Sequence, residues 1–451
     1  MENNKLLQQL ILWMVAVALI VLVRLRRKEQ GVGLVLAYVI NLWLIHWFAV
    51  SLYVIPGYRN NDPRIVGLGF EQSLYAIAGF AFGSVVLTPF FFGLFSKSTS
   101  VHVLDRNLPR AYMAIGAVAY LGLSVGLGSL PSATAILATG QELVVVGLGL
   151  CCWQAWKERN FKLLQFWIAM TLLMPFITII TRGFIGYGAA ATFSVLVFVS
   201  TFVRSRSAVV VGGILLGYLG MSVYVTYMRD RGEIREAVWG GQSFEDRLDR
   251  ITNSVKTFEW FDLSNDQHLR RVDDRLNQSY LVGLGVSRLT DVGGYAHGAT
   301  LWDALLALVP RALWPDKPMV AGSGNLVSEF TGVQFAAGTS VGIGQVMEFY
   351  VNFSTLGVVI GFMIMGLVLT TLDKMAAGAL AVNDLHSFVL WYLPGLSLLQ
   401  VGGSMVEVTS SAIASVIVAY AANRYLDRMQ RKRMARSEPL LATPQLAQVH
   451  E

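Results

Sequence analysis

Long apolar runs broken by short charged segments dominate the chain. Each run approaches the roughly 20 residues that an α-helix needs to cross a hydrocarbon core. Eleven such stretches recur, near 6–23, 31–55, 72–95, 111–129, 132–156, 161–180, 184–203, 208–228, 342–372, 384–403 and 409–425. The pattern predicts an all-α polytopic membrane protein of about 11 transmembrane helices. It divides the chain into an N-terminal bundle of about eight spans (1–228), a large polar loop (229–341), about three C-terminal spans (342–425) and a basic tail (426–451). The first run leads straight into Arg24, Arg26, Arg27 and Lys28, with no small-residue cleavage site. It therefore reads as a retained helix, not a removed signal.

Helical periodicity returns inside the polar loop. Ser243 is placed to cap a helix, with Asp246 three residues on. Phe244, Leu248, Ile251, Val255 and Phe258 then recur at helical spacing. Leu269, Val272, Leu276 and Tyr280 repeat the pattern. The polar side of that second segment sets Arg270, Arg271 and Arg275 against Asp273 and Asp274. It reads either as a solvated face with local ion pairs or as a basic strip facing substrate. A third segment, 301–308, is apolar but too short to span, and Pro310 ends or kinks it. Glycines at 322, 324, 332, 338, 342 and 344 give 321–344 a flexible or tightly turned character. No internal repeat is visible, against the paired halves common in transporters.

Charge then orients the spans. One set of short segments carries Arg24–Lys28, then Lys97, Arg106 and Arg110, then Lys157, Arg159 and Lys162, then Arg204 and Arg206, then Lys374, then the cations of the tail from Arg424 to Arg436. The opposite set carries Lys5, Arg59, Arg64 and Arg182. Lys and Arg concentrate on cytoplasmic loops. The expected topology is an external N-terminus, an external 229–341 loop and a cytoplasmic C-terminus; the resemblance given below would make the membrane a bacterial cytoplasmic (inner) membrane and the loop periplasmic. Composition agrees with a membrane protein, at 54% hydrophobic and 14% charged residues. The net charge of +6 is explained by the cytoplasmic rim and requires no nucleic acid. The tail, 428–436, reads as a stop signal or as a contact with anionic membrane lipid.

Several chemistries lack their residues. The six His fall at 46, 102, 268, 297, 386 and 450, and none pair at i, i+4. There is no Asp-x-Asp and no phosphate-cradling Gly-x-x-x-x-Gly-Lys. Neither a metal nor a nucleotide cofactor is expected. Cys151 and Cys152 are adjacent and read as small apolar residues, so no disulfide framework holds the loop.

The remaining candidates are ionisable groups at the outer edge of the spans. Arg182, in Thr181-Arg182-Gly183, reads as a snorkelling turn residue or an anion clamp. Arg311 follows the short interfacial segment, and a guanidinium suits phosphate. Glu348 and Asn352 lie four apart, with Gln345 on the same side of the helix. A carboxylate there reads as a helix-packing hydrogen bond or as a functional group. Glu407 is a second, weaker candidate.

Three segments together resemble the oligosaccharide repeat-unit (O-antigen type) polymerases of bacterial envelopes. Thr181-Arg182-Gly183 looks like the Arg-Gly turn that opens a mid-chain span in that family. Val309-Pro310-Arg311-Ala312-Leu313-Trp314-Pro315-Asp316-Lys317-Pro318 is similar to its Pro-Arg-x-x-Trp-Pro-x-Lys-Pro segment. Glu348-Phe349-Tyr350-Val351-Asn352-Phe353, followed by Gly357, is similar to its Glu-x-Tyr-x-Asn-Phe-x-x-x-Gly helix start, with Ser354 where glycine is common. The likeness covers about 180–360.

The resemblance implies joining of glycan units carried on polyprenyl pyrophosphate, outside the cytoplasmic membrane, without cofactor. Arg182 and Arg311 would then stabilise the leaving pyrophosphate, and Glu348 or His297 would serve as base. Lys317, Trp314, Arg270, Arg271, Asn352 and Tyr350 become the expected substrate contacts. A chain-length regulator and export machinery become the expected partners. A ligase of the same donor chemistry with another acceptor, and a lipid-linked oligosaccharide flippase or transporter, are the alternatives.

Overall fold

The computed structural model describes residues 2–92, 105–124, 131–203, 205–307, 309, 314, 323–335 and 341–437. Among them every regular element is helical. The first span is α1 (Glu2–Arg26); α2 (Leu34–Val54) and α3 (Pro63–Phe91) follow, each containing one π-helical turn. Next come α4 (Leu108–Ser124), α5 (Pro131–Gly140), α6 (Leu143–Lys157), α7 (Phe161–Leu172), α8 (Met174–Arg182), α9 (Gly186–Phe202) and α10 (Arg206–Trp239). The polar region folds as α11 (Phe244–Lys256), α12 (Asp266–Leu276), α13 (Gln278–Val292), α14 (Ala299–Ala307) and α15 (Ser323–Thr331). The last three are α16 (Gln345–Ala381), α17 (Leu385–Ser397) and α18 (Met405–Ser437).

Eight described helices or broken helix pairs are long and apolar enough to cross a membrane. The chain is thus a helical membrane protein. Eleven spans are expected from the runs; the remaining three, 111–129, 184–203 and 384–403, form helices of 17, 17 and 13 residues. Two full-length spans are discontinuous. α5 and α6 are separated at Gln141 and Glu142, and α7 and α8 at Leu173, just before Pro175.

Local chemistry explains the element ends. Asp62 accepts from Arg64 N at 2.9 Å while Pro63 occupies the first helical position, so α3 starts there. α10 runs eleven residues past 228, tolerating Gly232, because 229–239 holds no proline, and it ends at Gly240 and Gly241, the latter with φ 71°. In α16, Ser354 has φ 55° and ψ −157°, a conformation nearly reserved for glycine. The kink at Phe353–Ser354 sets the first turns of α16 apart from the rest of the helix.

The polar region is not a detached lobe. A Cβ on Gly69 of α3 would meet Ser279 O at 1.9 Å, and one on Gly283 of α13 would meet Ile65 O at 1.8 Å. Glycine on both helices lets the backbones touch. His46, buried in α2, shares a 2.8 Å hydrogen bond with Ser279 Oγ. At the opposite end of the bundle, the buried Asp373 of α16 pairs with Arg24 and accepts from Val32 N and Leu34 N at 3.0 and 2.9 Å. One carboxylate thereby joins α1, the start of α2 and α16.

Candidate functional site

Glu348 lies in the first turn of α16 and is 0% exposed. Its Oε2 accepts from Met405 N at 2.6 Å, an otherwise unpaired amide at the start of α18. A carboxylate at a helix N-terminus is stabilised by the helix dipole. Its Oε1 is buried, and among the described residues no donor lies within hydrogen-bond distance of it, although the Thr300 hydroxyl is close enough to interact with the carboxylate. Glu407 has a different task. It accepts from Ser404 N at 2.9 Å and donates its own amide to Ser404 Oγ at 3.3 Å, which closes a capping box on α18.

Asn352, one turn beyond Glu348, stitches the 296–300 segment onto α16. Its Oδ1 accepts from Gly298 N at 2.9 Å, and its Nδ2 donates to Thr300 Oγ1 and Glu348 O, both at 2.7 Å. Ala296 N donates to Val351 O at 2.8 Å. His297, exposed and at φ 48°, is held in that segment. The Tyr350 ring lies 6.1 Å from that of Tyr295, which lies 6.5 Å from His297. Four of the expected residues, Glu348, Tyr350, Asn352 and His297, are therefore neighbours. Gln345 accepts a hydrogen bond from Tyr38 Oη and donates to Gln400 O.

Arg182 ends α8, with Gly183 at φ 72° as the left-handed cap. It donates to Gln141 Oε1 at 2.9 Å and to Tyr120 O at 3.1 Å. Its guanidinium sits 3.9 Å from the Tyr120 ring centre and 5.9 Å from that of Tyr187. These partners are neutral, and among the described residues no carboxylate pairs with it. Tyr227 Oη donates to Gly183 O at 2.9 Å and Trp239 Nε1 to Arg182 O at 3.4 Å, fixing the turn against α10. The partners of Arg182 and those of Glu348 share no residue.

Sequence reasoning passed over Tyr120, Gln141 and Tyr187. A signal existed for the second: Gln141 and Glu142 are a polar pair inside an apolar run, the same kind of feature that singled out Glu348.

Arg271 is occupied. It donates to Glu259 Oε2 at 2.9 Å, while Arg229 donates to Glu259 Oε1 at 2.7 Å. His268 Nδ1 accepts from Asp262 N, so its Nε2 carries the proton toward Glu259 Oε2, 3.1 Å away. Burial alone would push the Glu259 carboxyl up, but hydrogen bonds from Arg229, Arg271 and His268 bring it down to about 2. Arg270 is exposed. Trp314 is half-buried, whereas Arg311 and Lys317 lie outside the described residues, as does Pro310. No group of three or more His, Cys, Asp or Glu able to hold a metal converges among the described residues.

Compared with models of protein families, with curated proteins and with solved structures, the chain finds no match.

Proposed function

We propose that the chain is a membrane glycosyltransferase that polymerises polyprenyl-pyrophosphate-linked oligosaccharide repeat units into a surface or extracellular polysaccharide. The observation that carries this reading is the buried Glu348 carboxylate, anchored through one oxygen at Met405 N and, among the described residues, without a hydrogen-bond donor at the other. Such a group is oriented and has a free acceptor position. In the proposed step an acceptor hydroxyl attacks the anomeric carbon of the lipid-linked donor. The bond from that carbon to the pyrophosphate oxygen breaks, and the configuration inverts. The hydroxyl proton passes to Glu348 Oε1, and polyprenyl pyrophosphate leaves. Arg182, which meets only neutral partners among the described residues, and Arg311 stabilise the charge on the leaving group.

The proposal includes the finer topology: about eleven spans in a bacterial inner membrane, the N-terminus outside, 229–341 periplasmic and the tail cytoplasmic. A reporter fused at residue 260 is then active only in the periplasm. The reaction is tested with Arg182→Ala, Arg311→Ala and Glu348→Gln in cells lacking the wild-type chain. Each should abolish long polymer and leave single lipid-linked units on the outer leaflet. Normal chain lengths in all three would sink the reading. Units trapped on the cytoplasmic leaflet would assign the chain to flipping instead. Loss of polymer in His297→Ala with retention in Glu348→Gln would move the base to His297.

A further inference from the structure

Just after α11 the polar region turns back along α10. Residues 258–262 form a non-helical segment there. Side chains of α10 fasten its backbone. Thr226 Oγ1 accepts from Glu259 N at 3.1 Å and donates to Glu259 O at 3.3 Å. One turn nearer the start of α10, Ser222 Oγ accepts from Phe261 N at 3.0 Å. One turn nearer still, the Tyr218 ring stacks on that of Trp260, with centres 5.8 Å apart and planes 6° from parallel. Phe261 is buried and lies 6.4 Å from the Phe48 ring of α2, whereas Trp260 beside it is 59% exposed.

These contacts carry the segment to membrane depth. Arg206 and Arg229 bracket the apolar run of α10. Tyr218 lies about 18 Å along the helix axis from Arg206, and Thr226 about 30 Å. The hydrocarbon core is roughly 30 Å thick. Glu259, paired with Arg229 and Arg271, therefore stands at the boundary, and Trp260 lies beneath it. Irregular backbone at that depth needs its polar groups satisfied by protein. The Ser222 and Thr226 hydroxyls do this for the amides of Glu259 and Phe261 and the carbonyl of Glu259. The surface around Trp260 continues the lipid-facing side of the span. Ile214, Leu215, Tyr218 and Leu219 of α10 are exposed, and so is Leu263 just past the segment. Trp and Tyr concentrate where hydrocarbon meets headgroups. The occupant continuous with this patch is therefore lipid.

We propose that residues 258–263 form a strap that enters the membrane beside α10. Trp260 and Leu263 sit among the lipids of the leaflet on the 229–341 side, where acyl chains meet headgroups. Lipid contact at the strap is independent of the reaction that the chain catalyses.

Spin labels on the full chain in phosphatidylcholine vesicles test the strap. Cys151 and Cys152 are buried, so a nitroxide reagent reacts with an introduced thiol. Trp260→Cys, Leu263→Cys and Glu245→Cys are labelled in turn. Relaxation by oxygen, which concentrates in lipid, is compared with relaxation by a water-soluble nickel chelate. The oxygen-to-nickel ratio should be severalfold higher at 260 and 263 than at 245, an exposed position on α11. Equal ratios at 260 and 245 would overturn the proposal. So would a label at 260 shielded from both agents, which would assign the patch to a protein partner. Trp260→Phe guards against a distorted Cys variant, because it keeps a ring on Tyr218. The emission that it loses relative to wild type should be the part quenched by phosphatidylcholine brominated high on its acyl chains and spared by iodide. Quenching of that part by iodide and not by the brominated lipid would also overturn the proposal.

Discussion

Arg229 and Arg231 stand two residues apart on α10 and meet opposite fates. The Arg229 fork is filled by Asp230, at 2.7 and 2.8 Å, by Glu259 at 2.7 Å, and by Thr257. Arg235 packs on the Phe184 and Trp239 rings and on the Arg182–Gly183 turn, and neither it nor Arg231 meets a carboxylate at ion-pair distance among the described residues. Positions two apart on a helix differ by about 200° in direction. One face of α10 is therefore neutralised by its own fold, and among the described residues the next is left with surplus positive charge. A cation that its fold has neutralised holds structure together. A cation left unmatched, at a turn held by specific hydrogen bonds, is available to a ligand.

Four substitutions or titrations would break or sharpen that contrast. The largest effect is expected at the unmatched face: Arg182→Ala should lower polymer formation in membranes by about 10²–10³-fold, the cost of losing one preorganised donor to developing charge. Its thermal unfolding should fall only modestly, from the loss of two hydrogen bonds and one ring contact, because no buried counter-charge is stranded among the described residues. A large loss of stability would instead make Arg182 a structural residue. At the neutralised face the order reverses. Glu259→Ala should cost about 1 kcal/mol in denaturant unfolding, since it takes the carboxylate from Arg271 while Arg229 keeps Asp230, yet leave chain length unchanged. Loss of polymer in a folded Glu259→Ala variant would erase the distinction between the two faces.

Acid titration isolates the same carboxylate. The folded state holds Glu259 at about 2, below its ordinary 4.5. The stabilisation it provides is complete above the ordinary value and drains away as pH falls from about 4.5 through about 2. Melting temperature followed over that window should drop less steeply in Glu259→Gln than in wild type. Parallel curves would remove Glu259 as the source. The smallest effect belongs to Arg250→Gln. Its partner Glu233 is 72% exposed, so stability should move by less than about 1 kcal/mol.

How much of this was legible beforehand depended on distance along the chain. Eight of the eleven runs coincide with described helices long and apolar enough to cross a membrane, and the first turns of α16 place Glu348 and Asn352 on one side by spacing alone. Ser243 caps α11 as expected, accepting from Asp246 N at 3.1 Å. The Asn352–Thr300 bond joins residues 52 apart, and the Arg182–Gln141 bond residues 41 apart. Neither leaves a trace in local periodicity. For the arginines, spacing shows that Arg229 and Arg231 point apart but not which of them meets Glu259. Arg270 and Arg271 looked equivalent in the sequence. Only Arg271 turns inward to the carboxylate, because the buried side of α12 carries His268, Leu269 and Val272.

The glycine contact between α3 and α13 bears on how the chain is made. The Gly69 site is written early, but the backbone that fills it, at Ser279 and Gly283, emerges from the ribosome some two hundred residues later. Until then α3 carries a notch shaped for a helix that does not yet exist. The N-terminal spans are therefore inserted as an unfinished wall, and the segment that finishes it is the one whose polarity sends it first toward water. Closure of the bundle becomes a late event in biogenesis, and a chain that stalls before residue 279 leaves its wall open to lipid.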